Sequence, residues 1–247
     1  ILGYNSKEGI VYQFWANRDS HDVNYFDPKT DYAPTTAISS VSWDDSNFPN
    51  IEGFGVWAAK CNFTMGPDGK MYSRMLGGNL VRIDVENARG ENLTNGDLVG
   101  TKDGSAYGLV FDPQDENVFY FSNNDKHCIY KYDLRTKEWA CWAGQEGKSG
   151  YLDGPIGQAM FNKPGQMCVD SEGNIILTDT ENHCIRKITM STGYVSTLAG
   201  KPQNSGYVNG SAEDAQFKKP LGICIDNDDV MYIGDSENRA IRRLAVE

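Results

Sequence analysis

The sequence predicts an all-β protein in which one four-stranded antiparallel unit is repeated along the chain. Three observations carry this. Residues 108–144, 165–200 and 222–247 read as copies of one another, and Gly108, Gly165 and Gly222 are evenly spaced, 57 residues apart. A fixed period of that size marks one repeated supersecondary unit. Each copy breaks into short apolar or alternating runs separated by hairpin-length turns, and no stretch shows sustained helical periodicity with caps. A sheet graded from apolar inner strands to alternating outer strands suits the blade of a β-propeller.

The copy at 165–200 gives the elements in order. Gln166–Val169 is an apolar-rich first strand ending at Asp170. Ser171–Asn174 is a turn in which Gly173 is free to take positive φ. Ile175–Thr178 is a β-branched second strand, followed by a turn at Asp179–Asn182. Cys184–Ile188 alternates as a half-exposed third strand should. Ser191–Gly193 turns again and Tyr194–Leu198 closes the unit.

These residues resemble the NHL repeat: P-x-G-I-x-x-D, a strand ending in Asp, E-N-x-x-I-R-x-I and a closing T-L-A-G. The pattern stands at Pro164-Gly165, Asp170, Asp179, Asn182-His183 and Ile185-Arg186, and again at Pro220–Ile223, Asp226, Asp235, Asn238 and Ile241-Arg242. The connectors match as well, Gly150-Tyr151-Leu152-Asp153-Gly154 with Gly206-Tyr207-Val208-Asn209-Gly210. Long connectors of this kind resemble those of bacterial IPT/TIG–NHL surface proteins. That resemblance implies a propeller, exported to the periplasm or cell surface, that can follow an N-terminal immunoglobulin-like domain.

Five blades are readable, at about 9–45, 54–100, 106–144, 164–200 and 221–247; related propellers usually have six. The second blade is weaker, with Met65–Tyr72 and Leu80–Asp84 matching the first hairpin and third strand; the first is weaker still. The last copy stops after its third strand. Ile1–Gly3 resembles the closing strand of a blade, so the N-terminal strand is expected to pair with the last blade and close a single propeller domain over 1–247, a fragment of a longer chain. Closure removes open sheet edges.

The chain has 247 residues and a formal charge of −11. That balance disfavours nucleic-acid binding, which needs a basic face for phosphates. The basic clusters Lys218-Lys219 and Arg239, Arg242 and Arg243 read as solvated strand faces. No apolar stretch reaches transmembrane length. Six cysteines fall largely at repeat-equivalent positions, as small packed hydrophobes do, and no Cys/His spacing suggests zinc.

In such a fold the connectors and the second-to-third-strand turns share one face, at the mouth of the central channel, and loops on a rigid scaffold are where function usually sits. The ligand-binding candidates there are Asp103, Asp153, Asn123, Asp179 and Asp235, with His127 and His183. Asp103, Asp153 and Asp179 are the candidates for a divalent cation, calcium or magnesium, since both take oxygen ligands. Recurrence once per repeat also suits turn-capping, because a catalytic residue has no reason to recur in every blade. Residues that break the repeat, Arg74 and Trp15 among them, are the other candidates, and Trp57, Trp139 and Trp142 add aromatic area of the kind that stacks on sugars.

No nucleophile elbow, phosphate loop or dinucleotide motif is present. The first reading is a non-enzymatic binding propeller for a glycan or protein, monomeric. The alternative is a metal-dependent hydrolase or lyase with a divalent ion in the channel.

Overall fold

The computed structural model describes residues 2–5, 10–16, 21–26, 39–43, 63–74, 80–84, 89–94 and 107–245. The chain divides into two compact units, Ile1–Lys102 and Asp103–Glu247. Both are built of antiparallel sheets, and the described residues hold no helix beyond single turns.

The first unit holds two four-stranded sheets. One runs β1 (Leu2–Asn5), β2 (Ile10–Ala16), β3 (His21–Phe26) and β4 (Ser39–Trp43); the other runs β5 (Phe63–Met65), β6 (Met71–Arg74), β7 (Leu80–Asp84) and β8 (Arg89–Asn92), each in sequence order. The N-terminal strand departs from expectation. Leu2–Asn5 pairs with Ile10–Gln13 and so belongs to the first sheet rather than the last. Only four residues separate the two strands, so a local hairpin closes with little loop entropy.

The second unit holds three sheets. The first runs β9 (Leu109–Phe111), β10 (Val118–Asn123), β11 (Cys128–Asp133) and β12 (Trp139–Gly144). The second contains β14 (Pro164–Val169), β15 (Ile175–Asp179), β16 (Cys184–Thr189) and β17 (Tyr194–Ala199), with a short fifth strand, β13 (Gly154–Pro155), added outside β17. The last has three strands, β18 (Pro220–Ile225), β19 (Met231–Asp235) and β20 (Ala240–Leu244). Five sheets thus stand among the described residues.

Burial peaks at the second strand rather than at the first. All of β10 and β15 is buried, whereas β14 is partly exposed. The reason is that both faces of β15 are covered. Ile175 and Leu177 pack with Val110, Ile129 and Phe161 on one side, and Ile176 packs with Phe217, Ile223 and Met231 on the other. Alternate residues point to opposite faces, so a strand covered twice reads as a continuous apolar run.

Successive first strands approach closely. A Cβ on Gly108 would lie 2.7 Å from the Gly165 carbonyl oxygen, and one on Gly165 would lie 2.9 Å from that of Leu221. Side chains stitch the seam: Ser122 Oγ donates to Gly165 O at 2.8 Å, and Thr178 Oγ1 donates to Leu221 O at 2.9 Å. The register refines the repeat. Met167 opposes Leu177 as Ile223 opposes Ile233, which equates Gly165 with Leu221, not with Gly222. Second and third strands recur every 56 residues, as in Asn123, Asp179 and Asp235, and the even glycine spacing is not the repeat itself. Asp170 and Asp226 close the turns after the first strands, accepting the amides of Asn174 and Val230 at 2.7 and 2.9 Å.

Candidate functional site: the clamped connectors

Each long connector of the second unit is held by one arginine on the third strand of the blade that follows it. Arg186 on β16 is fully buried. Its Nη1 donates to Asp179 Oδ2 at 2.7 Å and to Met160 O at 3.2 Å; its Nη2 donates to Asp153 Oδ1 at 2.6 Å and to Leu152 O at 2.9 Å. The guanidinium lies between two rings, 4.9 Å from the Tyr151 centroid and 5.2 Å from that of Phe161. Asn182 Nδ2 donates to Asp179 Oδ2 and to Gly150 O, and Asp179 Oδ1 accepts the Asn162 amide at 2.7 Å. A planar fork of donors suits this task, since it can bind a carboxylate and two carbonyls at once.

The arrangement recurs one blade on. Arg242 reaches Asp235 at 2.9 Å and the carbonyls of Gln216 and Val208 at 3.0 and 2.6 Å, between the rings of Tyr207 and Phe217. Asn238 donates to Asp235 and to Gly206 O, and Asp235 accepts the Lys218 amide. The turns that position these groups end in left-handed residues, His127, His183 and Arg239, at φ 56°, 59° and 52°. His127 Nδ1 accepts the Lys163 amide at 3.1 Å and His183 Nδ1 accepts that of Lys219 at 3.2 Å.

The electrostatics follow from burial. Burial pushes the Asp179 carboxyl up to about 6, while Arg186, Asn182 and the Asn162 amide pull it down. Burial pulls Arg186 down, but the charges of Asp179 and Asp153 and the hydrogen bond to Asp179 outweigh it and hold the guanidinium above its usual value. The folded state therefore binds the Asp179 proton more tightly than the unfolded chain, whose aspartates titrate near ~4. This group's contribution to stability is full below that value and is lost as pH rises through about 6. Relative to Asp179→Asn, the wild type is expected to lose up to ~3 kcal/mol between those limits. Urea unfolding of both proteins at pH 4 and pH 7 checks this, and a constant difference between them would refute it.

The predicted site residues thus fall into several places. Asp153 and Asp179 meet on Arg186, Asp235 meets Arg242, and His127 and His183 hold the connector amides of Lys163 and Lys219. Asn123 is buried and its Oδ1 accepts the Lys126 amide at 3.1 Å. Arg74 is buried at the end of β6, opposite Leu80, at the register position that Asp179 holds opposite Cys184. Trp15 lies on β2 opposite Asp22. Asp103 and Trp57 lie outside the described residues. Trp142 packs on Tyr120 with ring centroids 4.1 Å apart, and Trp139 meets Tyr130 edge-on at 5.4 Å. Among the described residues no group of three or more His, Cys, Asp or Glu could hold a metal ion, and no helix is long and apolar enough to cross a membrane.

The basic clusters are not simply solvated faces. Arg242 is a buried clamp, and Lys218 and Lys219 pair with Glu237 and Glu181 across the turns. Sequence reasoning missed Arg186 and Arg242 as the centres of the arrangement. The signal was their fixed place in the repeat, seven residues after Asp179 and Asp235. In the preceding blade the same position is Tyr130.

A model of the NHL repeat matches residues 161–188, which take in Phe161, Asp179, Asn182 and Arg186. The chain is 25% identical over 262 residues to Protein SUPPRESSOR OF QUENCHING 1, chloroplastic, of Arabidopsis thaliana, covering 98% of this chain and 24% of that protein. It is 30% identical over 152 residues to NHL repeat-containing protein 2 of Gallus gallus, covering 61% and 19%. The chain therefore spans about a quarter or less of the curated relatives it matches. Among solved structures it resembles a protein of unknown function from Bacteroides thetaiotaomicron, at TM-score 0.80 and 22% identity over 100% of this chain and 58% of that one. An auxiliary nutrient binding protein of the same organism gives 0.65 and 21%, over 99% and 68%. Virginiamycin B lyase from Staphylococcus aureus gives 0.58 and 14%, over 99% and 69%. The chain carries an NHL repeat and has the all-β fold of an NHL-type β-propeller.

Proposed function

We propose that this chain is a non-enzymatic binding module, an exported propeller that holds a glycan or a protein partner on the face built by its connectors. One observation carries the reading: the repeated carboxylates and histidines that could have served chemistry are spent on holding the connectors. Asp179 accepts from Arg186, Asn182 and the Asn162 amide, and His127 and His183 accept backbone amides. What this construction achieves is a rigid loop surface, which suits recognition. The fold it shares with an auxiliary nutrient binding protein is in keeping with a binding role. The acidic composition argues against nucleic acid as the partner.

The second reading, a metal-dependent hydrolase or lyase, draws on the shared fold of virginiamycin B lyase; fold alone does not carry activity. Elemental analysis of the purified protein, with thermal melts in EDTA and in added calcium, separates the two. The binding-module reading expects no stoichiometric divalent ion and no change of Tm on chelation. A bound ion whose removal lowers Tm would favour the metal-dependent reading and direct mutagenesis to Asp103.

A further inference from the structure

A cavity of about 400 Å³ opens beside the first clamped connector, between Tyr151, the end of β17 at Thr197–Gly200, and the next connector at Lys201, Asn204 and Glu213. We propose that it is a subsite for a neutral pyranoside, with Tyr151 as the stacking platform. The inference rests on the binding-module reading and deepens it.

Four features select that ligand class. The Tyr151 ring is fixed on one side by the Arg186 guanidinium, 4.9 Å from its centroid, and at its tip by a 2.8 Å hydrogen bond between its hydroxyl and Thr197 Oγ1. A ring held at two points loses little entropy when a ligand stacks on it. Because a cation already occupies one face, the ring has little left to offer a cationic ligand, whereas the CH face of a sugar gains by dispersion and burial. The rim is polar and mixed. Lys201 Nζ is offset by Asp214 Oδ1 at 3.1 Å, and Glu213 makes no ion pair among the described residues. A surplus carboxylate disfavours anions and accepts hydroxyls, while Lys201 and Asn204 supply donors. The volume falls within the ~300–1,000 Å³ of small-molecule sites. Gly200 allows the floor to turn: its φ is +99°, and a Cβ there would lie 3.0 Å from His183 O.

The test is titration of the whole chain with the methyl glycosides of glucose, galactose, mannose and N-acetylglucosamine, followed by saturation-transfer NMR. At least one is expected to bind with saturation of its CH face. Tyr151→Phe should keep that affinity and Tyr151→Leu should weaken it about tenfold or more. Because Tyr151→Leu also strips a ring from Arg186, Asn204→Ala and Glu213→Gln provide variants outside the clamp, each expected to weaken binding severalfold. A glycoside that binds with unchanged affinity to all of these variants overturns the subsite while leaving a binding module in place. Absence of binding by every glycoside, or tighter binding of glucosamine or glucuronic acid, overturns the ligand class; a stoichiometric ion with chelation-sensitive Tm would instead overturn the binding-module reading beneath it.

Discussion

Replacing Arg186 with methionine is expected to destabilise the second unit by ~3–5 kcal/mol, because it leaves the Asp179 carboxylate buried without its partner. Arg186 and Asp179 both have fully buried side chains and sit 2.7 Å apart. The Met160 and Leu152 carbonyls would lose their donors at the same time, and the Tyr151 and Phe161 rings would lose the cation between them. Asp153 gives the contrast. It meets the same guanidinium at 2.6 Å, but its side chain is 34% exposed. Asp153→Asn should therefore cost no more than ~1 kcal/mol. Removing both ends of the buried pair, as Arg186→Met with Asp179→Leu, should recover much of the loss, since an apolar pair of similar volume replaces two desolvated charges. Urea unfolding of the four proteins checks the set. A cost below ~1 kcal/mol for Arg186→Met would mean that the clamp is not what holds the connector. The penalty should also shrink at low pH, where a carboxyl stripped of its cation takes up a proton instead of staying charged.

The strands of the blades were legible because their pattern is a direct consequence of being covered on two faces. Ile175–Thr178 could be read as a second strand from its β-branched run, and Ser171–Asn174 as a turn from Gly173. Pairing beyond the hairpin was less legible. Ile1–Gly3 looks like a closing strand, yet short strands carry little pairing information, and β1 joins its sequence neighbour. The two-residue β13 has no periodicity to detect; it exists because Gly154, at φ +150°, aligns Pro155 with the edge of β17. The glycine spacing misled by one residue because Gly222 is not the counterpart of Gly165; Leu221 holds that place, and its carbonyl oxygen is the one that approaches Gly165.

The site was half legible. Recurrence of Asp179 and Asp235 argued for a structural duty, and they have one. The sequence could not show where their partners lie, because Asp179 closes on Arg186 within its blade but on Asn162 and, through Arg186, on Leu152 and Asp153 in the connector. An arginine in an alternating strand also looks solvated until the connector that covers it is known. Tyr151 and Tyr207 were visible only as consensus connector residues, although Tyr207 is 61% exposed over its own buried arginine.

Phe161→Ala is the second large effect, at ~3–5 kcal/mol, the usual range for emptying a buried aromatic site. Phe161 lies in the connector between β13 and β14 and is fully buried. It joins one cluster that draws Val110, Val118 and Ile129 from one blade and Met167, Ile175 and Leu177 from the next. Its ring also backs Arg186 and fills the space where a Cβ on Gly144 would lie 2.9 Å away. Truncation would thus open a cavity at the blade seam and loosen the arginine at once. Phe217 repeats the role against Arg242 and Gly200. It lies in the connector just before β18 and packs on the three-stranded last sheet, where Ile241 is 79% exposed, so Phe217→Ala should cost less. Because the Gly150 amide donates to the Phe161 carbonyl and the Asn162 amide to Asp179, hydrogen exchange at both amides should accelerate in Phe161→Ala. Unfolding free energies that rank the two variants in the opposite order, or unchanged exchange at both amides, would show that the connector is held by its backbone bonds alone and that the aromatic–arginine stack contributes little.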